Sequence, residues 1–125
     1  MIKNQNIELV AGDMPVIVIG ISVADGSAFD PSGASATWTL AKTSASTGSD
    51  IYATKATASG AASFVQYLDQ DSGELQWALH APLEESDTST LAAGSYYHEA
   101  FVIESNGQRS HLMTGKFTIL ATPSP

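Results

Sequence analysis

Along this chain apolar residues come in short runs separated by clusters of Gly, Asp, Asn, Pro and Ser, and helical spacing is nearly absent. That punctuation predicts an all-β domain. Residues 6–10 read as a first short strand ended by Gly12-Asp13. Residues 14–23, "MPVIVIGISV", are apolar on both faces, which predicts a central strand covered on both sides, with Pro15 tolerable only at its start. In "FDPSGA" (29–34), Asp30, Pro31 and Gly33 fit positions i, i+1 and i+3 of a type I turn.

Clean alternation follows in 34–42, with Ala34, Ala36, Trp38 and Leu40 on one face and Ser35, Thr37 and Thr39 on the other. Residues 51–57 form a weaker strand, and 63–69 another. In 74–80 Leu75, Trp77 and Leu79 alternate with polar neighbours, so both tryptophans are expected to point inward. Residues 82–94 carry the one helical turn: Pro82 opens it, acids follow where the helix dipole favours them, and Gly94 closes the segment. The last two strands, 95–104 and 109–120, flank Asn106-Gly107, a strong hairpin signal. Residues 1–120 therefore read as one domain, with 121–125 as a proline-punctuated tail.

The Asn-Gly turn allows the final hairpin to be paired residue by residue. A two-residue loop sets Ser105 opposite Gln108, hence Val102 opposite His111, Ala100 opposite Met113, His98 opposite Gly115 and Tyr96 opposite Phe117. One face then carries Tyr96, His98, Ala100, Val102, His111, Met113 and Phe117 and reads as core. The other carries Tyr97, Glu99, Phe101, Ile103, Leu112 and Thr114. On it Tyr97, Phe101, Ile103 and Leu112 form a candidate interface, because contiguous outward apolar residues often mark contact sites; the alternative is that another loop or sheet of the same chain covers them.

Composition narrows the functional classes. Thirteen acidic against five basic residues give a formal charge of −8, which disfavours nucleic acid and anionic membrane surfaces. With no cysteine there is no disulfide framework or thiolate chemistry. No secretion signal is legible at the N-terminus, and no apolar run approaches the ~20 residues of a membrane span. Charged residues make up 14%, against roughly 25% in an average protein. Such a surface suits a chain partly covered by other subunits, and equally a monomeric antiparallel sandwich.

Chemistry is scarce. His98-Glu99 looks like a metal or acid/base pair, but neighbours on a strand point to opposite faces. His98 and His111 share a face in this pairing yet lie roughly 13 Å apart at ~3.3 Å per residue, far beyond the ~2 Å that each ring nitrogen needs to a common ion. A packed histidine opposite the small Gly115 is the better reading. His80 is expected as a capping or surface residue. "DQDSGE" (69–74) faintly resembles a calcium loop, but Glu74 and His80 stand where an EF-hand needs Gly and a bidentate acid. No nucleophile elbow is present. The expectation is no catalytic residue, no metal and no cofactor.

"DTSTLAAGSYYHEAFV" (87–102) is similar to the tyrosine corner of immunoglobulin-like domains, with Tyr96 as the corner residue. The order "IELVAGDMPVIVIGISVADGSAFDPSGASATWTL" followed by "TSTLAAGSYYHEAFVIESNGQRSHLMTGKFTIL" resembles small tailed-bacteriophage virion proteins of immunoglobulin-like fold. It is similar to the N-terminal domain of baseplate upper proteins and to short head-associated proteins. It departs from them at Pro31-Ser32 and in having no long C-terminal extension, which speaks against a fibre. The resemblance implies an immunoglobulin-like, Greek-key antiparallel β-sandwich of about seven to nine strands. It also implies a non-enzymatic virion component, made in the host cytoplasm, that decorates or cements a capsid in repeated copies against other virion proteins. A tail or baseplate adaptor and a carbohydrate or cell-surface binding module are the alternatives.

Overall fold

The computed structural model describes residues 3–21, 29–45 and 47–120, with side chains from Gln5 onward. Two sheets face each other across one core. In chain order the strands are β1 (Lys3–Asn4), β2 (Ile7–Val10), β3 (Val16–Gly20), β4 (Ser35–Ala41), β5 (Ile51–Ala56), β6 (Ser63–Leu68) and β7 (Leu75–Pro82). A single helical turn, α1 (Glu85–Thr88), precedes β8 (Gly94–Ile103) and β9 (Arg109–Leu120). The larger sheet runs β1-β9-β8-β4-β5, with β2 continuing the β1 edge along β9; the smaller runs β3-β7-β6. The expected β-sandwich is thus present, but it is not purely antiparallel, because β1 and β2 both pair with β9 in parallel. The tail at 121–125 and the end of the segment 14–23 lie outside the described residues.

The core is largely where alternation placed it, although Leu75, expected inward with Trp77 and Leu79, is 63% exposed at the start of β7. Trp38 and Leu40 from β4 and Ala100 and Val102 from β8 meet Met113, Phe117 and Ile119 from β9. Ile17, Ile19, Leu79 and Ala81 close over them from the small sheet. Trp38 is fully buried, and Trp77 is half-buried against the same cluster.

The segment around β3 departs from expectation. Its two faces are both apolar, yet it is an edge strand, with Ile17 and Ile19 buried while Val16 and Val18 remain about half exposed. Apolar character on two faces misled because it is equally compatible with an edge that keeps one face dry and one bare. The turn at 29–34 also sits one residue later than expected: the Ala34 amide closes it on the Pro31 carbonyl, and the Ser32 amide donates to Asp30 Oδ1.

The β8–β9 hairpin carries two irregularities that offset each other. Its loop has three residues, Ser105 to Gly107, with the Glu104 amide bonded to the Gln108 carbonyl. Gly107 adopts φ 87°, the left-handed conformation that closes such loops. Val102 therefore opposes Ser110, and Phe101 opposes His111, one residue off the two-residue-loop pairing. Between Ala100 and Phe101 the ladder then shifts, and Leu112 is the extra residue of a β-bulge. Below it the expected pairs Ala100–Met113, His98–Gly115 and Tyr96–Phe117 are all present. The bulge turns Leu112 inward to 1% exposure and sends His111 outward, the reverse of the expectation for both.

The helical turn is shorter than the 82–94 segment suggested, since Pro82 still belongs to β7. Glu84 caps it, and Asp87 Oδ2 accepts both the Glu84 amide at 2.7 Å and the Lys55 ammonium at 2.8 Å. Thr88, fully buried, accepts the Gly12 amide on its hydroxyl. One turn of helix thereby ties β5 to the β2–β3 connection. Both side chains are largely buried, so Asp87→Ala and Lys55→Met are each expected to cost about 2 kcal/mol or more by stranding the other charge, whereas replacing the pair together by apolar residues is expected to cost less than the sum. Urea midpoints of the two single variants and the double variant would check this.

Candidate functional site

Three places came forward as sites: the His98-Glu99 pair, the outward apolar cluster on the last hairpin, and the acidic turn at 69–74. Each is settled by which way its side chains point.

His98 is fully buried beneath the crossing N-terminal segment. Trp38 Nε1–H donates to His98 Nδ1 at 3.0 Å, so that nitrogen carries no proton. The proton is on Nε2, which donates to the Gln5 carbonyl at 2.7 Å. His98 also packs edge to face against Trp38 and Phe117, which lie tilted against each other, with centroids 5.5 to 6.1 Å apart. Gly115, opposite His98, is needed because Gln5 passes directly over it; a methyl group there would overlap the Gln5 carbonyl oxygen. The Gln5 amide in turn donates to Thr114. Glu99 points away and accepts the Tyr97 hydroxyl at 3.0 Å. The histidine is therefore a fastener for the N-terminal segment, and the adjacent acid belongs to the other face.

Burial pushes the His98 pKa below its ordinary value, with the Gln5 carbonyl pulling weakly the other way. An unfolded chain binds this proton near pH ~6.5 while the folded chain resists it, so the contribution to stability is full above that pH and declines as pH falls through it. The urea midpoint is expected to drop between pH 7.5 and pH 5 by more in the parent than in His98→Leu, which has no proton to take up.

The outward cluster is only partly as expected. Tyr97, Phe101 and Ile103 are half-buried on the outer face of the large sheet, but Leu112 is in the core. Phe101 is not bare: the Arg109 guanidinium lies 3.8 Å over its ring, and His111 packs beside it. Tyr97 is held by Glu99; burial, then that hydrogen bond and the carboxylate charge, push its pKa up to about 12. This face is a mixed surface of Thr, Glu, Arg and His around one covered ring.

In the acidic turn, Asp69 spends its carboxylate locally, accepting the Asp71 amide and the Ser72 hydroxyl, while the Asp69 and Gly73 amides close the loop. It is a plain turn between β6 and β7. His80 lies within β7, half-buried between Val18 and Ser63, and does not end the strand. Among the described residues no group of three His, Cys, Asp or Glu is placed to hold a metal ion, and no helix is long and apolar enough to cross a membrane.

The surface that sequence reasoning missed is the free edge of β3. Met14, Val16 and Val18 are 67%, 49% and 50% exposed. Because Pro15 and Ile21 bond to β7 at either end, the odd-numbered residues between them face β7, and the even-numbered amides and carbonyls of Val16, Val18 and Gly20 face outward. Only a side chain meets that edge among the described residues: Gln5 Nε2 donates to the Val18 carbonyl at 3.1 Å. Between this edge and β2 runs an open groove of about 640 Å³. Pro15 does not mark it, since proline is tolerated at the first residue of central and edge strands alike.

No protein-family model, curated protein or solved structure matches this chain.

Proposed function

We propose that this protein is a non-catalytic assembly module, a β-sandwich that packs in repeated copies against other chains, and that its setting is the particle of a tailed bacteriophage. Capsid decoration or cementing is the favoured role, with a tail or baseplate adaptor as the alternative location. The observation that carries the assembly reading is the β3 edge. An uncharged strand whose outward backbone groups meet only the Gln5 side chain among the described residues, with a half-exposed Met14-Val16-Val18 row, is a surface that solitary domains usually blunt with charge, bulges or cover. The virion setting rests on the sequence resemblance to small immunoglobulin-like phage proteins. That layout is supported by the strand order β2-β9-β8-β4-β5 over β3-β7-β6, the buried Trp38 on β4, and the Tyr96 hydroxyl bonded to the Ala92 carbonyl at 2.6 Å. A sugar-binding module would need aromatic rings in an open groove, and the groove beside β3 is lined by none.

The test is mass spectrometry of particles purified from a host carrying this gene, with immunogold labelling for position. Recovery at a fixed copy number per particle, labelled on heads, is expected. Label on tails would move the site; absence from intact particles would remove the virion reading.

A further inference from the structure

We infer that the groove beside β3 is the receptor for an extended segment of a partner chain, one that alternates apolar residues and carries lysine or arginine, added as a new strand to the small sheet. This deepens the assembly reading and rests on it.

Three observations converge. First, among the described residues the small sheet has three strands and stops at β3, and the N-terminal segment that could have covered this edge is committed elsewhere. β1 and β2 pair with β9, and His98 and Thr114 hold the Gln5 backbone to the large sheet. The outward amides and carbonyls of Val16, Val18 and Gly20 then present the ladder an incoming strand requires. The Gln5 side-chain amide already donates to the Val18 carbonyl, as a strand's own N–H would. Displacing it needs only a rotamer change, since the Gln5 backbone is bonded independently.

Second, the groove has room and an apolar floor. Its volume of about 640 Å³ falls among ordinary binding pockets (roughly 300 to 1,000 Å³), and Leu9 and Ile17 line its depth with Met14 at the rim. Alternate side chains of an added strand would point into it, because successive residues of a strand face opposite sides. Third, the charge selects the occupant. Among the described residues Glu8 and Asp13 line the groove and no Lys or Arg does, and the whole chain carries −8. A second copy of this chain would bring more negative charge to an acidic rim, whereas a basic strand would neutralise it.

The probe is a synthetic peptide of about seven residues, the span of a short strand, alternating valine and threonine with a lysine at each end. Its controls are the same peptide with glutamate ends and one with a central N-methylated valine that cannot complete a ladder. Binding is followed by amide hydrogen exchange of the full chain. The basic peptide is expected to slow exchange at Val16 and Val18, the acidic one to bind about tenfold more weakly, and the N-methylated one to give no protection. Glu8→Lys combined with Asp13→Asn, which keeps a side-chain oxygen for the Val10 amide, is expected to reverse the charge preference. No protection by the basic peptide overturns the inference, as does equal protection by basic and acidic peptides. Concentration-dependent protection of the same amides without peptide also overturns it, by making a second copy the occupant. Presence in virions without peptide binding would remove this inference alone; peptide binding without presence in virions would remove only the virion setting.

Discussion

Gly115→Ala is expected to destabilise the protein by at least about 3 kcal/mol, combining overpacking against backbone with a buried hydrogen bond that can no longer form. The substitution looks mild, since position 115 lies in an extended strand where alanine is ordinarily tolerated. The cost arises from what crosses above it. Gln5 lies against the glycine with its amide on Thr114 and its carbonyl on His98, and the Asn6 side chain accepts the Lys116 amide one residue on. An added methyl must push Gln5 away, which strands the Nε2–H of a fully buried histidine. Loss should be local before it is global: hydrogen exchange at the Gln5 and Lys116 amides is expected to accelerate well ahead of amides in β4 and central β8. Equal acceleration everywhere would mean that the N-terminal segment is not a separately released unit.

The second large effect is expected at Trp38. Trp38→Ala should cost about 3 to 5 kcal/mol, the range for removing a large buried aromatic. The more informative variant is Trp38→Phe, which keeps most of the packing and deletes the indole N–H. It leaves His98 Nδ1 as a buried acceptor with no donor, a loss of about 1 to 3 kcal/mol. It also removes the group that excludes a proton from that nitrogen, so the decline in stability below pH ~6.5 is expected to become shallower than in the parent. Urea titrations at pH 7.5 and pH 5 on both variants separate the packing loss from the protonation effect. If Trp38→Phe kept the full acid sensitivity, burial without the indole bond would suffice to keep His98 neutral.

Much of this fold was legible. The strands at 34–42, 51–57, 63–69 and 109–120 are present nearly residue for residue, because strict alternation and Gly/Asn/Asp punctuation are local signals that tertiary packing has no reason to override. The inward His98 opposite Gly115 is also as expected, although the two-residue loop it was paired from is absent: the third loop residue and the bulge at Leu112 cancel below Ala100. What stayed hidden depended on topology. Whether residues 16–20 lie centrally or at an edge is decided by where residues 3–10 go, and nothing within "VIVIG" records that. The parallel pairing of β1 and β2 with β9 joins residues more than a hundred positions apart, and a two-residue strand gives no periodicity. The candidate interface failed at Leu112 because a one-residue loop difference propagates along a hairpin until a bulge absorbs it. It was weakened at Phe101 because the Arg109 guanidinium, brought opposite Ile103 by that same shift, shields the ring.

The loop and the bulge together make the tip of that hairpin a choice between two isomers. With the three-residue loop, Leu112 and Ser110 face inward and His111 outward. With a two-residue Asn-Gly loop and no bulge, the same chain would bury His111 beside Val102 and expose Leu112 next to Phe101. The two differ in which of Ser110, His111 and Leu112 is buried, and Leu112 brings the largest apolar term, worth about 1.5 to 3 kcal/mol. Leu112 thus acts as a register lock. A polar residue in its place would do more than weaken the core: it would let the tip slip by one position and present a different set of side chains to whatever lies alongside.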